Sequence, residues 1–383
     1  MTELWGKLKP LSRGQAEMKK ALESREYDIV GLFGPTGTGK SLFSLVYGLD
    51  MLQEGIYSRF IISRPLIDIV TGREITATDI GSESYIELVS AYMRDILSKF
   101  VEWDTIRKFM DEGKIVFADT RYLRGRTFDD SIIFLDDAQN LSPESAVEIV
   151  LRIGSNSKLI VAGDPIFQKV PSLTTEGASV IRELLLGEET AKVVDLGLKD
   201  IVRPGARRGI RLLLETKMRK RELNDKEKEI LDAARIYSPD ADIITVVTLS
   251  DDKEKFEIKS EHTPDAIIVV KKGSMGRLIG RGGERIQKIE ETTGIRLRGL
   301  ELTLDFKELV RAIHPVSWIH KHVVDIDFVG PYLNISVTSE GFGAFVGQKG
   351  FYVKFLDSVV KKMLGIGVRV SEVPVQKEKR GRR

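Results

Sequence analysis

Cysteine is absent from the 383-residue chain, and histidine occurs only four times. Disulfides and thiolate metal sites are thereby excluded, and the composition suits a reducing compartment. Net charge is nearly missing too: 59 lysines and arginines face 57 acids, leaving +2. The overall balance points to no partner, so local clusters must carry that argument. No uninterrupted apolar run approaches the ~18 residues needed to cross a bilayer, and the opening MTELWGKLKP has no apolar stretch of the kind a signal peptide needs. The expectation is a cytoplasmic protein with no membrane attachment. What remains is an ordinary globular composition, 42% apolar and 30% charged, at a length that calls for two or three domains, because single cores stop growing near ~250 residues.

From about 27 to 197, short β-branched runs alternate with amphipathic stretches. DIVGLFG, SRFIISRP, KIVFADT, SIIFLDD, KLIVAGD and AKVVDLG read as buried strands. SLFSLVYGLDMLQ, SYIELVSAYMRDILSKF and PESAVEIVLRIG read as helices between them. That alternation predicts an α/β fold with a parallel sheet covered on both faces, whose ligands bind beyond the carboxyl ends of the strands. The charge-dense stretch from about 212 to 236 predicts a connecting helix. Beyond it, DIITVVTLS, KFEIKSE and AIIVVKK read as short strands among glycine loops, with a domain boundary near 238.

GPTGTGKS at 34 to 41 follows an apolar strand and opens an amphipathic helix. The loop Gly34, Pro35, Thr36, Gly37, Thr38 and Gly39 can turn its backbone N–H groups, which all but Pro35 possess, around phosphate oxygens there; Lys40 reaches the β and γ phosphates, and Ser41 offers its hydroxyl to Mg2+. IFLDDAQN at 133 to 140 supplies two acids at a neighbouring strand end. Asp136 suits a magnesium anchor, and Asp137 would orient or deprotonate the attacking water. In GDPIFQ, Gln168 can sense the γ phosphate, and Gln15 has an amide able to pair with an adenine edge.

A second signal lies at the other end of the chain. GRLIGRGG at 276 to 283 and GAFVGQKG at 343 to 350 share G-x-x-x-G-x-x-G at an offset of 67. In each setting, strand and helix flank a loop whose small residues let a sugar-phosphate backbone approach closely: Gly280, Arg281, Gly282 and Gly283 in the first, Gly347, Gln348, Lys349 and Gly350 in the second. Ile279, Ile286 and Ile289 are candidates to line a groove for splayed bases. His314, His320 and His322 lack the carboxylate or thiol pattern of a metal site. The tail QKEKRGRR adds local positive charge.

In order and spacing, GPTGTGKS, ISRP, YLRGRTFDDSIIFLDDAQN, GDPIFQ and KDIVRP resemble the PhoH-like ATPases, a branch of the RecA-like helicase superfamily, over roughly residues 10 to 215. The resemblance implies Mg-ATP at Lys40, Ser41 and Asp136, water activation at Asp137, coupling by Gln139 and Gln168, and transition-state or subunit contacts by Arg124, Arg126 and Arg203. Asp137 stands where the family usually has Glu, and Pro204 where a His commonly follows the Arg. Residues 243 to 373 resemble the tandem type II KH arrangement of NusA-like RNA-binding proteins.

The resulting layout is an ATPase domain over 1–212, a charged helical linker over 213–240, and two KH-like domains over 241–300 and 301–383. The expected activity is ATP hydrolysis dependent on single-stranded RNA. The alternative is an RNA-binding adaptor whose grip is switched by ATP binding or slow turnover. Because the chain has one RecA-like lobe where related helicases have two, a homo-oligomer is expected, with Arg203 or Arg126 completing the site in trans.

Overall fold

In a computed structural model, the structure describes residues 3–68, 70–119, 127–167 and 177–374. The chain divides into two compact units, residues 1–206 with 329–331, and 207–328 with 332–383. The main strands of the first unit are β1 (Ile29–Phe33), β2 (Arg59–Ser63), β3 (Ile115–Phe117), β4 (Ser131–Leu135), β5 (Lys158–Gly163) and β6 (Ala191–Asp195). They form one sheet in the order β3-β2-β4-β5-β1-β6, with every pairing parallel.

The alternation along each strand accounts for the two faces. Val30, Leu32, Ile132, Phe134, Ile160 and Ala162 join Met18 and Leu22 of helix α1 (Arg13–Glu23) and Phe43, Leu45 and Leu49 of helix α2 (Lys40–Gln53) in one apolar layer. Their neighbours Ile29, Phe33, Ile133, Leu135, Leu159 and Val161 meet Ile181 and Leu185 in the other. A strand buried on both sides reads as a continuous apolar run, which is what the sequence contains. Among the described residues, no helix is long and apolar enough to cross a membrane.

The charged stretch around 212–236 is two helices rather than one. Pro204–Arg219 stops, and α3 (Asp225–Tyr237) restarts behind a capping box in which Asn224 and Glu227 exchange hydrogen bonds. Nor is α3 only a connector: Ile230, Ala233 and Ala234 are buried in the core of the following module. That module contains β7 (Ile243–Thr248), β8 (Ala266–Val270), α4 (Met275–Ile279), α5 (Glu284–Thr293) and β9 (Leu297–Glu301). β8 pairs antiparallel with β7 and parallel with β9.

KFEIKSE, expected as a strand, is not one: Ser250–Lys255 is a short helix, and Glu257 turns the chain at φ 55°. The plan then repeats. Helix α6 (Lys307–Ile313) leads into β10 (Val323–Val329), β11 (Tyr332–Thr338), α7 (Ser339–Val346), α8 (Phe351–Leu364) and β12 (Gly367–Val373), with β11 and β12 parallel in the order β10-β11-β12. The two modules are tied within the second unit by the buried Asp252, whose carboxylate accepts the Ser358 hydroxyl at 2.7 Å and the Lys362 ammonium at 2.5 Å.

Candidate nucleotide site and glycine loops

The residues following β1 form an open cradle. Gly34, Gly37 and Gly39 take φ of 151°, 83° and 95°, and α2 begins at Lys40 with no side-chain cap. Its first N–H groups are left without intrahelical partners, which makes the helix start a place for an anion. Lys40 is buried and folded over its own loop, donating to the carbonyls of Gly34 at 2.7 Å and Pro35 at 2.9 Å. Burial holds its ammonium below the ordinary lysine value, against the opposing pull of Asp164, Asp136 and Asp137.

Four strand ends converge on this cradle, because β4 and β5 lie between β2 and β1 in the sheet. Asp136 follows β4 and is buried. Its Oδ1 accepts the Asp137 N–H at 3.0 Å, and its Oδ2 accepts the Tyr92 hydroxyl. The Ser41 hydroxyl is near enough to help hold this carboxyl down, so the two expected magnesium ligands are neighbours. Burial, reinforced by the charge of Asp137, pushes the Asp136 carboxyl up to about 6, in spite of Arg64, Tyr92 and Ser41.

Asp137 sits at φ 53°, a left-handed conformation that Asp tolerates better than most residues. Its Oδ2 accepts Nε of Arg64 at 2.7 Å, and its Oδ1 accepts the Gln139 amide at 3.0 Å. The same Gln139 accepts the backbone N–H of Asp164 at 2.9 Å through Oε1. Gln139 therefore bridges the ends of β4 and β5. Asp164 is itself buried: Oδ1 takes the N–H groups of Ile166 and Phe167, while Oδ2 is a buried oxygen with no hydrogen-bond partner. Burial pushes the Asp164 carboxyl up, with Lys40 as the main counterweight.

Two further candidate residues border the same loop. Gln15 is 2% exposed rather than offered at the surface. Its Oε1 accepts the Leu11 N–H at 2.8 Å and its Nε2 donates to the Thr38 carbonyl at 2.9 Å, so the amide braces the phosphate loop, and a base contact would have to exchange those bonds. Arg203 donates to the Thr36 hydroxyl at 3.0 Å, at the phosphate loop of its own chain. Gln168, Arg124, Arg126 and the basic tail lie outside the described residues.

Arg64, Tyr92 and Asp164 were not assigned roles from the sequence. Asp164 carried a usable signal, an acid directly after a buried strand like Asp136, but Asp-Pro there reads as a turn. Tyr92 gave none, since it belongs to the regular helical pattern of Ser82–Leu97.

The two glycine loops of the second unit have one backbone. Gly280 and Gly347 take φ/ψ of 76°/−179° and 70°/174°, and the third positions, Gly282 and Lys349, take 61°/13° and 50°/19°. At Gly280 a Cβ would fall 2.7 Å from Cγ of Arg285, and at Gly347 2.6 Å from the ring of Tyr352. These blocking residues are themselves 67 positions apart. The carbonyl two residues before each first glycine is also held from the same direction, by the C-cap residue of the module's leading helix: Leu278 O accepts the Ser238 hydroxyl at 3.0 Å, and Phe345 O pairs with His314 Nε2 at 3.1 Å.

His314 is fully buried and accepts the Val316 N–H at Nδ1, so Nε2 carries the proton; burial pushes its imidazole down to about 4. Arg281, Gln348 and Lys349 are exposed, as a phosphate contact requires. Ile279 and Ile286 are half-buried, but Ile289 is wholly in the core and is not available to line a groove.

Comparison with known proteins follows these two regions. The PhoH-like protein family model matches residues 7–215, and a KH domain model matches residues 242–312. The chain is 30% identical over 202 residues to the PhoH-like protein of Bacillus subtilis (strain 168), covering 50% of this chain and 62% of that one. It is 28% identical over 198 residues to the PhoH-like protein of Synechocystis sp., covering 50% and 60% respectively. It thus spans about three fifths of the length of these curated relatives. AMPPCP-bound DnaA from Aquifex aeolicus is 18% identical with a TM-score of 0.24, covering 58% of this chain and 56% of that one. With its family model spanning more than half of the sequence, the chain belongs to the PhoH-like proteins and carries a KH domain behind that region.

Proposed function

We propose that the chain is an ATPase stimulated by single-stranded RNA, acting in the cytoplasm, with nucleotide bound by the first unit and RNA held by the second. The observation that carries this reading is the convergence of Lys40, Ser41, Asp136 and Asp137 on one uncapped helix start. Magnesium fits the donor set: a hydroxyl and a carboxylate, both hard oxygen ligands, are neighbours at Ser41 and Asp136, and the raised Asp136 pKa marks a buried charge that a cation would relieve. Bound there, Mg2+ would neutralise phosphate charge during transfer. Lys40 would leave the Gly34 and Pro35 carbonyls for phosphate oxygens, the α2 N–H groups would hold the phosphates, and Asp137 would take the proton of the attacking water.

The domain plan in this proposal is an ATPase domain to about 212, a KH domain over 241–300 and a second KH copy over 301–383. Support for the second copy comes from the repeated strand order and loop backbone. A homo-oligomer supplying a second ATPase lobe belongs to the same proposal. The test is steady-state ATP turnover with and without single-stranded RNA: stimulation that disappears in Lys40→Ala and in Gly347→Asp supports it, and turnover indifferent to RNA rejects it. One observation favours the switch reading, in which RNA grip follows nucleotide state with slow hydrolysis: both carboxylate oxygens of Asp137 are engaged. RNA affinity that differs between ATP-bound and ADP-bound protein, without stimulation, would select it.

A further inference from the structure

Arg298 is a half-buried cation that no acid answers. It lies on β9, the edge strand of its sheet, where successive residues face opposite sides. Leu297 belongs to the core with Leu278 and Ile289, and a Cβ on Gly299 would fall 2.6 Å from Sδ of Met275 and 3.0 Å from Leu278. Arg298 therefore points to the other face, away from α4, and its Nη1 donates to the Ala312 carbonyl of α6 at 2.7 Å. Its Nε and Nη2 have no partner among the described residues. Burial holds the guanidinium below the ordinary arginine value, Arg296 and Arg311 push it the same way, and no carboxylate opposes them.

A cavity of about 650 Å3 opens beside Arg298 and Arg311, and it runs round the free edge of β9 to Met275 at the start of α4. His262 closes one side. Its Nε2 meets the Arg311 carbonyl as a donor at 3.1 Å, so the imidazole takes nothing from Arg298. The two acids on the rim are turned elsewhere: Glu301 accepts the Gly273 N–H at 2.9 Å, and Glu308 faces Arg311 at 3.8 Å with both side chains largely exposed. Like charges gathered in a half-buried place oppose folding unless an anion sits between them.

We propose that Arg298 and Arg311 form a phosphate site, and that the phosphate is a phosphodiester of RNA leaving the first glycine loop across the edge of β9. This rests on the RNA-binding reading and adds a third contact to the two loops. The path is short, since Met275 opens a five-residue helix that Gly280 caps, roughly 8 Å at the rise of a helix. A guanidinium with N–H groups to spare can hold phosphate oxygens at two points, and Arg311 supplies a second charge.

The experiment is fluorescence anisotropy of the full chain with a labelled single-stranded oligouridylate over a series of salt concentrations, beside thermal melts in chloride and in inorganic phosphate. The double variant Arg298→Gln/Arg311→Gln should shrink the slope of log K against log salt by about 0.7, the worth of one phosphate on a single strand. Arg311→Gln alone should shift the slope the same way with Tm unchanged, because its side chain is exposed. Arg235→Gln, which removes an exposed arginine of α3 outside the cavity, should leave the slope as it is. Should the double variant fail to fold, Arg311→Gln decides alone.

A wild type that binds RNA with a slope the double variant keeps overturns the site. A slope that falls equally in Arg235→Gln reports charge at large, and overturns it too. A wild type that ignores RNA but gains Tm from inorganic phosphate, a gain lost in the double variant, keeps the site and overturns RNA as its source. Neither RNA binding nor phosphate stabilisation in wild type sinks the RNA reading and the site together.

Discussion

The two glycine loops of the second unit share a backbone but are supported by different chemistry. At the first, a serine hydroxyl holds the Leu278 carbonyl and glycine fills the left-handed third position; at the second, a buried histidine holds the Phe345 carbonyl and Lys349 sits in the left-handed conformation. Glycine adopts that backbone without strain, whereas lysine does so at a cost of about 1 kcal/mol. A strained lysine at the tip of a loop built for close approach contributes nothing to folding. Its position makes sense as a charge presented to a phosphate. The first loop has the relaxed backbone but is followed by Glu284, an acid where phosphate is expected.

Acid should separate the two loops most. The folded His314 pKa of about 4 lies below the ~6.5 of an unfolded histidine, so the unfolded chain binds the proton first as pH falls. Stability is then complete above pH ~6.5 and falls by about 3 kcal/mol towards pH 4, because a protonated Nδ1 would set N–H against the Val316 N–H. Thermal melts across that range, with His314→Gln flattening the dependence, test it; an unchanged pH profile in the variant would count against it.

Next in size is Gly347→Asp, expected to weaken RNA binding by about 2 kcal/mol, since the new Cβ meets the rigid Tyr352 ring and the new charge repels phosphate. Gly280→Ala should be milder than Gly347→Ala, because Arg285 can yield more readily than an aromatic ring; fluorescence anisotropy with labelled RNA ranks the three.

Lys349→Gly should move stability and binding in opposite directions. Unfolding should cost about 1 kcal/mol more, while the slope of log K against log salt shrinks by about 0.7. A variant that gains stability and keeps its salt dependence would show that Lys349 touches no phosphate. Smallest is Glu284→Gln, which should strengthen binding at the first loop by a few tenths of a kcal/mol, an effect confined to low salt.

Signals confined to a few consecutive residues were legible in the sequence. Each of the six parallel strands is a short run rich in apolar residues, and GPTGTGKS and both glycine loops are contiguous. What needed three dimensions was missed. Arg64, Asp137, Gln139 and Asp164 come from three different strand ends, and only the strand order brings them into one hydrogen-bonded line. Burial was harder to read than element type: Ile286 and Ile289 look alike at helical spacing, yet one edges the surface and the other is core. That Gln15 braces the phosphate loop could not be read either, because nothing local announces Thr38 as its partner. The misread KFEIKSE shows the limit of alternation over seven residues: its first residue closes a short helix, and Glu257 turns the chain two residues later.

Asp252 has a consequence for how a long ligand is handled. Because Ser358 and Lys362 both grasp it, the two modules are carried as one body, and the distance between their loops is fixed rather than sampled. A transcript long enough to reach both would gain the second grip at high effective concentration, and a shorter one would gain nothing. If both loops bind RNA as proposed, such a pair would work as a ruler, so affinity plotted against oligonucleotide length should climb in a step, and unclasping Asp252 should blur that step into a slope.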